Sequence, residues 1–458
     1  MPSSFFSDLM SSIADRGRAV LARPPAAESG PVSAADVIAL ARDLVSRRGE
    51  ASGVARAREI FAAWDRLDKT AKRDFLIALA NDFGPDARRL DNAIHVWREK
   101  PTPAALQELH AAAEPKRQEV IRRLNLAPRG TSKLVRMREE LFEHQKTHPV
   151  LDVLDEDFTH LFASWFNPGF LVLRRIDWST PANILEKIIR YEAVHAIRGW
   201  DDLRRRIEPE DRRLFAFFHP QMVDDPLIFV EVALTDDVPD AIEPLLAEGR
   251  TPCPPERATT AVFYSISNCQ KGLRGVSFGN FLIKHVVEEL KRELPKLTTF
   301  VTLSPVPGFA NWLARERRSE ATVLAAEDLE LLRNLDDASW PSNEKAREAL
   351  KPALLSAAAT YLLTARTSEG RPIDPVARFH LGNGARLDRL NYLGDTSTKG
   401  LAQAHGLMVN YLYDLGAIEK NHEAFAEKGQ VVASPAVQKQ LKTGPVRALA
   451  PPRQPKKA

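Results

Sequence analysis

Hydrophobic periodicity changes once along this chain, at Trp165-Phe166-Asn167-Pro168-Gly169, and that change limits the fold more than any other feature. Before it, apolar residues recur every three or four positions, the repeat of helices that bury one face. Val37, Ile38, Ala41, Leu44 and Val45 follow Ser33 and Asp36, which are spaced as a capping box. Ile60, Phe61, Trp64 and Leu67 mark a second helix, and Phe75, Leu76, Leu79 and Ala80 a third that Gly84-Pro85 closes. Thr102-Pro103 places an N-cap before an N1 proline. It opens a long pattern through Leu106, Leu109, Val120, Ile121 and Leu124, stopped by Pro128. A further helix is predicted over about Ser132–Gln145. No strand alternation interrupts these segments, so residues 1–165 read as an all-α helical bundle domain.

After the change, strand-like runs appear at Phe170–Ile176, Leu214–Phe218, Leu227–Leu234, Ala261–Ser267 and Thr298–Leu303. Helical runs lie between them at Ala182–His195, Ile242–Ala247 and Asn280–Glu293. Residues 166–436 therefore read as a mixed α/β domain, one sheet with helices packed on it, and the chain as an α+β protein. Glu344–Thr364 adds a long Ala/Leu-rich helix. From Val437 to Ala458 the chain reads as a disordered basic tail, with prolines 445, 451, 452 and 455, six basic residues and no acid.

Composition narrows the function. The 458 residues fit two or three domains, and 64 basic against 61 acidic residues give a net charge of +3. A dedicated nucleic-acid binder would carry a clear basic excess. No apolar run approaches the ~18 residues of a membrane-spanning helix. Cys253 and Cys269 are the two cysteines, which favours a reducing compartment with both thiols free. Met1–Arg23 mixes Phe5, Phe6, Leu9, Met10 and Ile13 with Arg16, Arg18 and Arg23, but Asp8 and Asp15 argue against a transit peptide. A cytoplasmic location is the expectation.

The first chemical signal is Ala261–Glu293: a β-branched and aromatic strand, a loop with Gly272, Gly275 and Gly279, then an amphipathic helix. Glycines let backbone N–H groups approach an anion, and a helix N-terminus favours negative charge. Lys271 and Arg274 add cationic side chains. Gly275-Val276-Ser277-Phe278-Gly279 also matches the G-x-S-x-G nucleophile elbow, with Asp395 and His405 downstream as acid and base. The elbow needs its serine directly after a strand, and here a polar loop intervenes. In Thr302-Leu303-Ser304-Pro305-Val306-Pro307-Gly308-Phe309, proline ends a strand and fixes Ser304 at its C-terminal end, where α/β sheets often carry functional groups. His380 lies in Val376–Ala385, where an apolar approach meets Gly382 and Gly384. Gly406–Tyr413 is a strand-like run with two tyrosines. His144 and His148 are spaced i, i+4 without the glutamate of a zinc motif. Each of these has a plain structural reading too: a turn-capping serine, a core histidine, packed tyrosines.

Together the segments FYSISNCQKGLRGVSFGNFLIK, TLSPVPGF, ARFHLGNGA and GLMVNYLY resemble, in order and spacing, the malonyl-CoA decarboxylase family. The resemblance spans nearly the whole chain apart from its ends. It implies a catalytic domain with the fold of the GNAT acetyltransferases, whose acyl-CoA loop reads Q/R-x-x-G-x-G/A. Arg274, Gly275, Val276, Ser277, Gly279 and Asn280, with Lys271, fall at that loop. Ser277 stands where other members of the family carry a glutamate. The resemblance places the family's catalytic serine and histidine on Ser304 and His380, its active-site tyrosine on Tyr413 and a further serine on Ser265. It also implies a helical N-terminal domain that mediates homotetramers.

The implied reaction is the decarboxylation of malonyl-CoA to acetyl-CoA and CO2 through a thioester enolate. No cofactor is needed, because the thioester accepts the electrons of the breaking bond. Malonyl-CoA is then the partner, with neither nucleic acid nor membrane. Three other readings stay open: an acyl-CoA hydrolase, an acyltransferase on the same CoA-binding core, and a CoA-sensing scaffold without turnover. The SPVPGF and FHLGNGA segments argue against the acyltransferase, which has no need of them.

Overall fold

The computed structural model describes residues 32–46, 50–276 and 282–442. They form two compact units, one holding the described residues up to Trp165 together with Lys271–Val276, the other Phe166–Gln270 and the described residues from Leu282 onward.

The first unit is helical: α1 Ala34–Ser46, α2 Glu50–Trp64, α3 Lys69–Asp82, α4 Ala87–Glu99, α5 Pro103–Ala113, α6 Lys116–Asn125, α7 Gly130–Gln145 and α8 Asp152–Trp165. The Ser33 and Asp36 pair caps α1 reciprocally: Asp36 N donates to Ser33 Oγ at 3.3 Å, and Ser33 N donates to the Asp36 carboxylate at 2.8 Å. The Thr102 hydroxyl accepts from Ala105 N at 3.2 Å to cap α5. The single long pattern predicted from Leu106 to Leu124 is two helices. Pro115 forces Glu114 into extended backbone, with ψ at 124°, so α5 stops and α6 restarts after the proline. Phe61, Phe75, Phe158 and Phe162 lie in the buried core.

The second unit is built on one eight-stranded sheet: β1 Val172–Ile176, β2 Arg212–Phe218, β3 Ile228–Thr235, β4 Thr260–Asn268, β5 Thr299–Thr302, β6 Ser304–Pro305, β7 Arg386–Asn391 and β8 Met408–Leu412. Strand order is β1-β2-β3-β4-β5-β8-β6, with β7 also paired to β8. The first four strands form an antiparallel meander, and β4 and β5 run parallel. A parallel pair needs a crossover, which here includes α12. The helices of this unit are α9 Ala182–Tyr191, α10 Trp200–Ile207, α11 Glu243–Leu246, α12 Leu282–Glu293, α13 Phe309–Glu316, α14 Ala326–Leu332, α15 Glu344–Leu363, α16 Pro375–Gly382, α17 Thr398–Ala404, α18 Ile418–Lys428 and α19 Pro435–Gln438.

Helices α9 and α10 bury Ile184, Leu185, Ile188 and Leu203 against Leu214, Ala216 and Phe229 of the sheet. Burial of this kind contributes about 25 cal/mol per Å2 of apolar area and fixes which way each strand faces. The tail expected from Val437 onward is ordered over its first six residues. Val437 is buried, and Lys442 Nζ donates to Asp328 at 2.6 Å, so the chain stays packed through Lys442. Residues 443–458 lie outside the described residues. Among the described residues no helix is long and apolar enough to cross a membrane.

Candidate active site

β4 and β5 pair in parallel as far as Phe263 and Thr302. One further bond, from Leu303 N to the Phe263 carbonyl at 3.0 Å, precedes the turn at Ser304 into β6. Pro305 and Pro307 fix that turn by locking φ. His380 reaches the same place on α16, which begins at the Asp374 cap and ends at Asn383. Gly384 then reverses the chain at φ +80°, where a Cβ would collide with the Ile418 carbonyl. Both the backbone angle and the close approach call for glycine there. Tyr413 follows β8, and its N–H donates to the Phe300 carbonyl at 2.8 Å.

Three of the predicted residues meet. Ser304 Oγ lies 3.1 Å from His380 Nε2, and His380 Nδ1 lies 2.8 Å from the Tyr413 hydroxyl. The Ser304 hydroxyl donates to Thr302 Oγ1 at 2.9 Å. That leaves the serine oxygen to accept from Nε2–H, and Nδ1 to accept from the tyrosine. All four residues are buried. Burial alone pushes His380 down to about 3, so its imidazole is neutral near pH 7. Burial likewise pushes the Tyr413 phenol well up and keeps it protonated.

Two further residues support this chain. Thr302 accepts from both Ser304 and Tyr411 N, the latter at 3.1 Å. Its position two residues before Ser304, on the same face of an extended strand, was the available signal. Tyr411 stacks on the His380 ring, centroids 4.7 Å apart at 25°. Its place two residues before Tyr413 gave the same kind of signal.

Ser265 is not brought into this group. A β-bulge between Glu231 and Val232 sets Val232 opposite Phe263 but Glu231 opposite Ser265. The extra residue turns Ser265 away from the sheet face that Phe263 shares with Thr302. The Ser265 hydroxyl donates to Glu192 at 2.8 Å, and Ser267 donates to the same carboxylate at 3.1 Å. Val194 N and His195 N complete that cluster at 2.9 and 2.7 Å.

Of the residues expected to hold CoA, Lys271, Arg274, Gly275 and Val276 belong to the helical unit. Arg138 of α7, itself buried, donates to the Gly272 and Arg274 carbonyls at 2.9 Å each. The Arg274 guanidinium lies 4.3 Å from the centre of the Phe142 ring. Lys271, Arg274 and Gly275 are exposed. Ser277, Gly279 and Asn280 lie outside the described residues, as does the centre of the G-x-S-x-G motif. The acid and base of the hydrolase reading go elsewhere: Asp395 accepts from Ser397 N at 3.0 Å, and His405 lies against Phe309 and Trp340.

Cavities of about 440 and 100 Å3 open on the second unit, the first beside Arg175, Phe215 and Glu293, the second beside Arg206, Arg212 and Arg250. Ser304, His380 and Tyr413 line neither. Among the described residues no cluster of His, Cys, Asp and Glu could hold a metal ion. Cys253 and Cys269 are both free thiols.

Two family descriptions match the sequence. Residues 169–450 match the Malonyl-CoA decarboxylase C-terminal domain, and residues 83–166 match its N-terminal domain. The crystal structure of a malonyl-CoA decarboxylase from Rhodopseudomonas palustris is similar, with 60% identity and a TM-score of 0.86 over 89% of this chain and 100% of that one. The corresponding structure from Agrobacterium vitis gives 58% identity and a TM-score of 0.85 over 89% of this chain and 100% of that one. The goose (Anser anser anser) protein named mitochondrial malonyl-CoA decarboxylase is 33% identical over 416 residues, covering 83% of this chain and 82% of its own length.

Proposed function

The chain belongs to the malonyl-CoA decarboxylase family and is a carboxy-lyase acting on malonyl-CoA; from that premise we propose that Ser304, His380 and Tyr413 carry the reaction through a thioester enolate. The supporting observation is the buried chain Tyr413–His380–Ser304–Thr302.

Decarboxylation breaks the bond between the malonyl carboxylate and the α-carbon. The electron pair moves toward the thioester carbonyl, CO2 leaves, and the α-carbon of the enolate takes a proton. The thioester itself accepts the electrons, so the proposed step draws on no cofactor. Hydrogen-bond donors aimed at a developing oxyanion in a dry site are usually the largest catalytic contribution. In the free enzyme Ser304 O–H is given to Thr302 and His380 Nε2–H to Ser304. In the proposed step the serine hydroxyl therefore turns from Thr302 to the substrate, while His380, on a capped helix, holds the serine oxygen. In the proposed proton path the Ser304 hydroxyl protonates the α-carbon. His380 Nε2–H, kept on that nitrogen by the Tyr413 O–H at Nδ1, holds the serine oxygen as it gives up its proton, and a solvent proton restores the serine hydroxyl. One proton is consumed per CO2 released, as the reaction requires.

Lys271, Arg274, Gly275, Val276, Ser277, Gly279 and Asn280 are proposed to hold the CoA phosphates, with the exposure of Lys271 and Arg274 in support. Ser265 is given a supporting role, since its hydroxyl is committed to Glu192. The helical unit is proposed as the surface of a homotetramer, because it leaves Val96, Leu106, Leu126, Val150 and Val153 in water. The two free thiols favour a reducing compartment such as the cytoplasm.

Mass spectrometry of the products formed from malonyl-CoA tests the reading. Acetyl-CoA and CO2 are expected, and free CoA with malonate would point to hydrolysis instead. His380→Asn should lower kcat by orders of magnitude with a milder effect on KM. Wild-type turnover in that variant would sink the assignment.

A further inference from the structure

We propose that Tyr361 is a positioning residue for this decarboxylase: its hydroxyl, set between Gly308 and Asp374, fixes the separation of Ser304 from His380. The inference rests on the roles given above to those two residues.

One side of the argument starts at Ser304. Four residues on, past two prolines, the chain reaches Gly308, which opens α13. Phe309 N bonds the Val306 carbonyl at 3.1 Å, and Trp312 N bonds the Gly308 carbonyl at 3.1 Å, so the turn is tied at both ends. The Gly308 backbone is ordinary, at φ −94° and ψ −8°, and any residue could adopt it. Space is what excludes a side chain. A Cβ at Gly308 would lie 2.5 Å from the Tyr361 hydroxyl oxygen and 3.7 Å from the ring carbon that bears it. Tyr361 is buried on α15, with the rings of Phe309 and Trp312 at 5.6 and 5.1 Å.

The other side leads to His380. The Tyr361 hydroxyl donates to Asp374 Oδ2 at 3.2 Å. The other oxygen, Oδ1, accepts from Ala377 N at 2.8 Å and caps α16. His380 lies six residues along that helix, about 9 Å at 1.5 Å per residue. Asp374 is 1% exposed, so both its oxygens depend on these partners. Burial first, and the Asp374 charge second, push the Tyr361 phenol upward, which keeps it a donor at neutral pH.

One hydroxyl thus touches the turn that follows the serine and the cap of the helix that bears the histidine. The Ser304–His380 distance of 3.1 Å is already toward the long end for a hydrogen bond. Slack of a few tenths of an ångström at either support would weaken it, and misplacement by about 1 Å can lower a rate about a hundredfold.

The test is steady-state kinetics on the full chain with malonyl-CoA, with kcat expressed per folded molecule. Tyr361→Phe should lower kcat about ten- to a hundredfold and leave KM unchanged. Asp374→Asn keeps a cap oxygen, and its amide N–H can donate to the phenol oxygen in place of accepting from it, so it should keep most of kcat; Asp374→Ala should lose it. Gly308→Ala should also lose it, and the double variant Gly308→Ala/Tyr361→Phe should recover part, because removing the hydroxyl makes room for the new methyl. A merely structural tyrosine would lower the folded yield without changing kcat per folded molecule or producing that rescue, and either result overturns the inference. His380→Asn, assayed alongside, separates the two claims. If it is inactive while Tyr361→Phe turns over like wild type, the positioning role fails and the catalytic assignment stands. If it turns over like wild type, the catalytic assignment itself fails.

Discussion

Acid should destabilise this protein through the histidines that burial holds below their ordinary range: His195 and His405, each down to about 4, and above all His380. The share of His380 follows from its burial. A histidine takes its proton near pH 6.5 in an unfolded chain. In the fold, burial holds His380 down to about 3. Below pH 6.5 the unfolded state therefore binds a proton that the folded state refuses, so stability falls as pH drops through 6.5 and levels off only near 3. At pH 5 the loss from this one group amounts to about 2 kcal/mol, taking 1.36 kcal/mol per pH unit over roughly one and a half units. Urea unfolding at pH 7 and pH 5 measures it in the wild type and in His380→Asn. The wild type should lose about 2 kcal/mol more than the variant between the two pH values. Equal losses would mean that His380 is charged or hydrated in the fold, and the neutral-imidazole reading would be wrong. The same neutrality predicts that kcat/KM shows no inflection near pH 6.5.

Gly384→Ala should destabilise the protein by at least about 2 kcal/mol, because φ +80° is strained for alanine and its methyl meets the Ile418 carbonyl; thermal unfolding within a degree or two of wild type would contradict this. Thr302→Val removes the acceptor of both Ser304 and Tyr411 N, and should lower kcat and cost about 2 kcal/mol of stability. Thr302→Ser should restore both, and kinetics with urea titration would show it. Arg138→Ala frees the carbonyls of Gly272 and Arg274 and should raise KM for malonyl-CoA with little change in kcat; an unchanged KM would remove Lys271–Val276 from CoA binding.

Elements with a strong local signal were legible in the sequence. The Ser33–Asp36 box and the Thr102-Pro103 start each bring their own hydrogen-bonding groups within four residues, so spacing alone announces them. The break at Pro115 was equally local, but the apolar residues on its two sides happen to share a helical phase and concealed it. β7 escaped because Arg386-Leu387-Asp388-Arg389-Leu390-Asn391 lacks β-branched residues and carries charge. Its strand state comes from pairing with β8, a tertiary contribution that propensity does not contain. The ordered start of the tail was hidden in the same way. Val437 and Lys442 find their partners only after the fold brings β7 and α14 within reach.

The site repeats this division. Ser304, His380 and Tyr413 stand 76 and 33 residues apart in sequence, and no spacing rule joins them; the resemblance carried that part. What neither spacing nor resemblance could supply is sheet parity. Ser265 and Ser304 lie two residues beyond the paired Phe263 and Thr302 on adjacent parallel strands. A regular strand would therefore present both on one face. The single extra residue opposite Glu231 sends Ser265 to the other face and gives its hydroxyl to Glu192. A bulge depends on how two strands are paired rather than on either sequence alone. For that reason the face occupied by Ser265 becomes visible only when β3 and β4 are seen together.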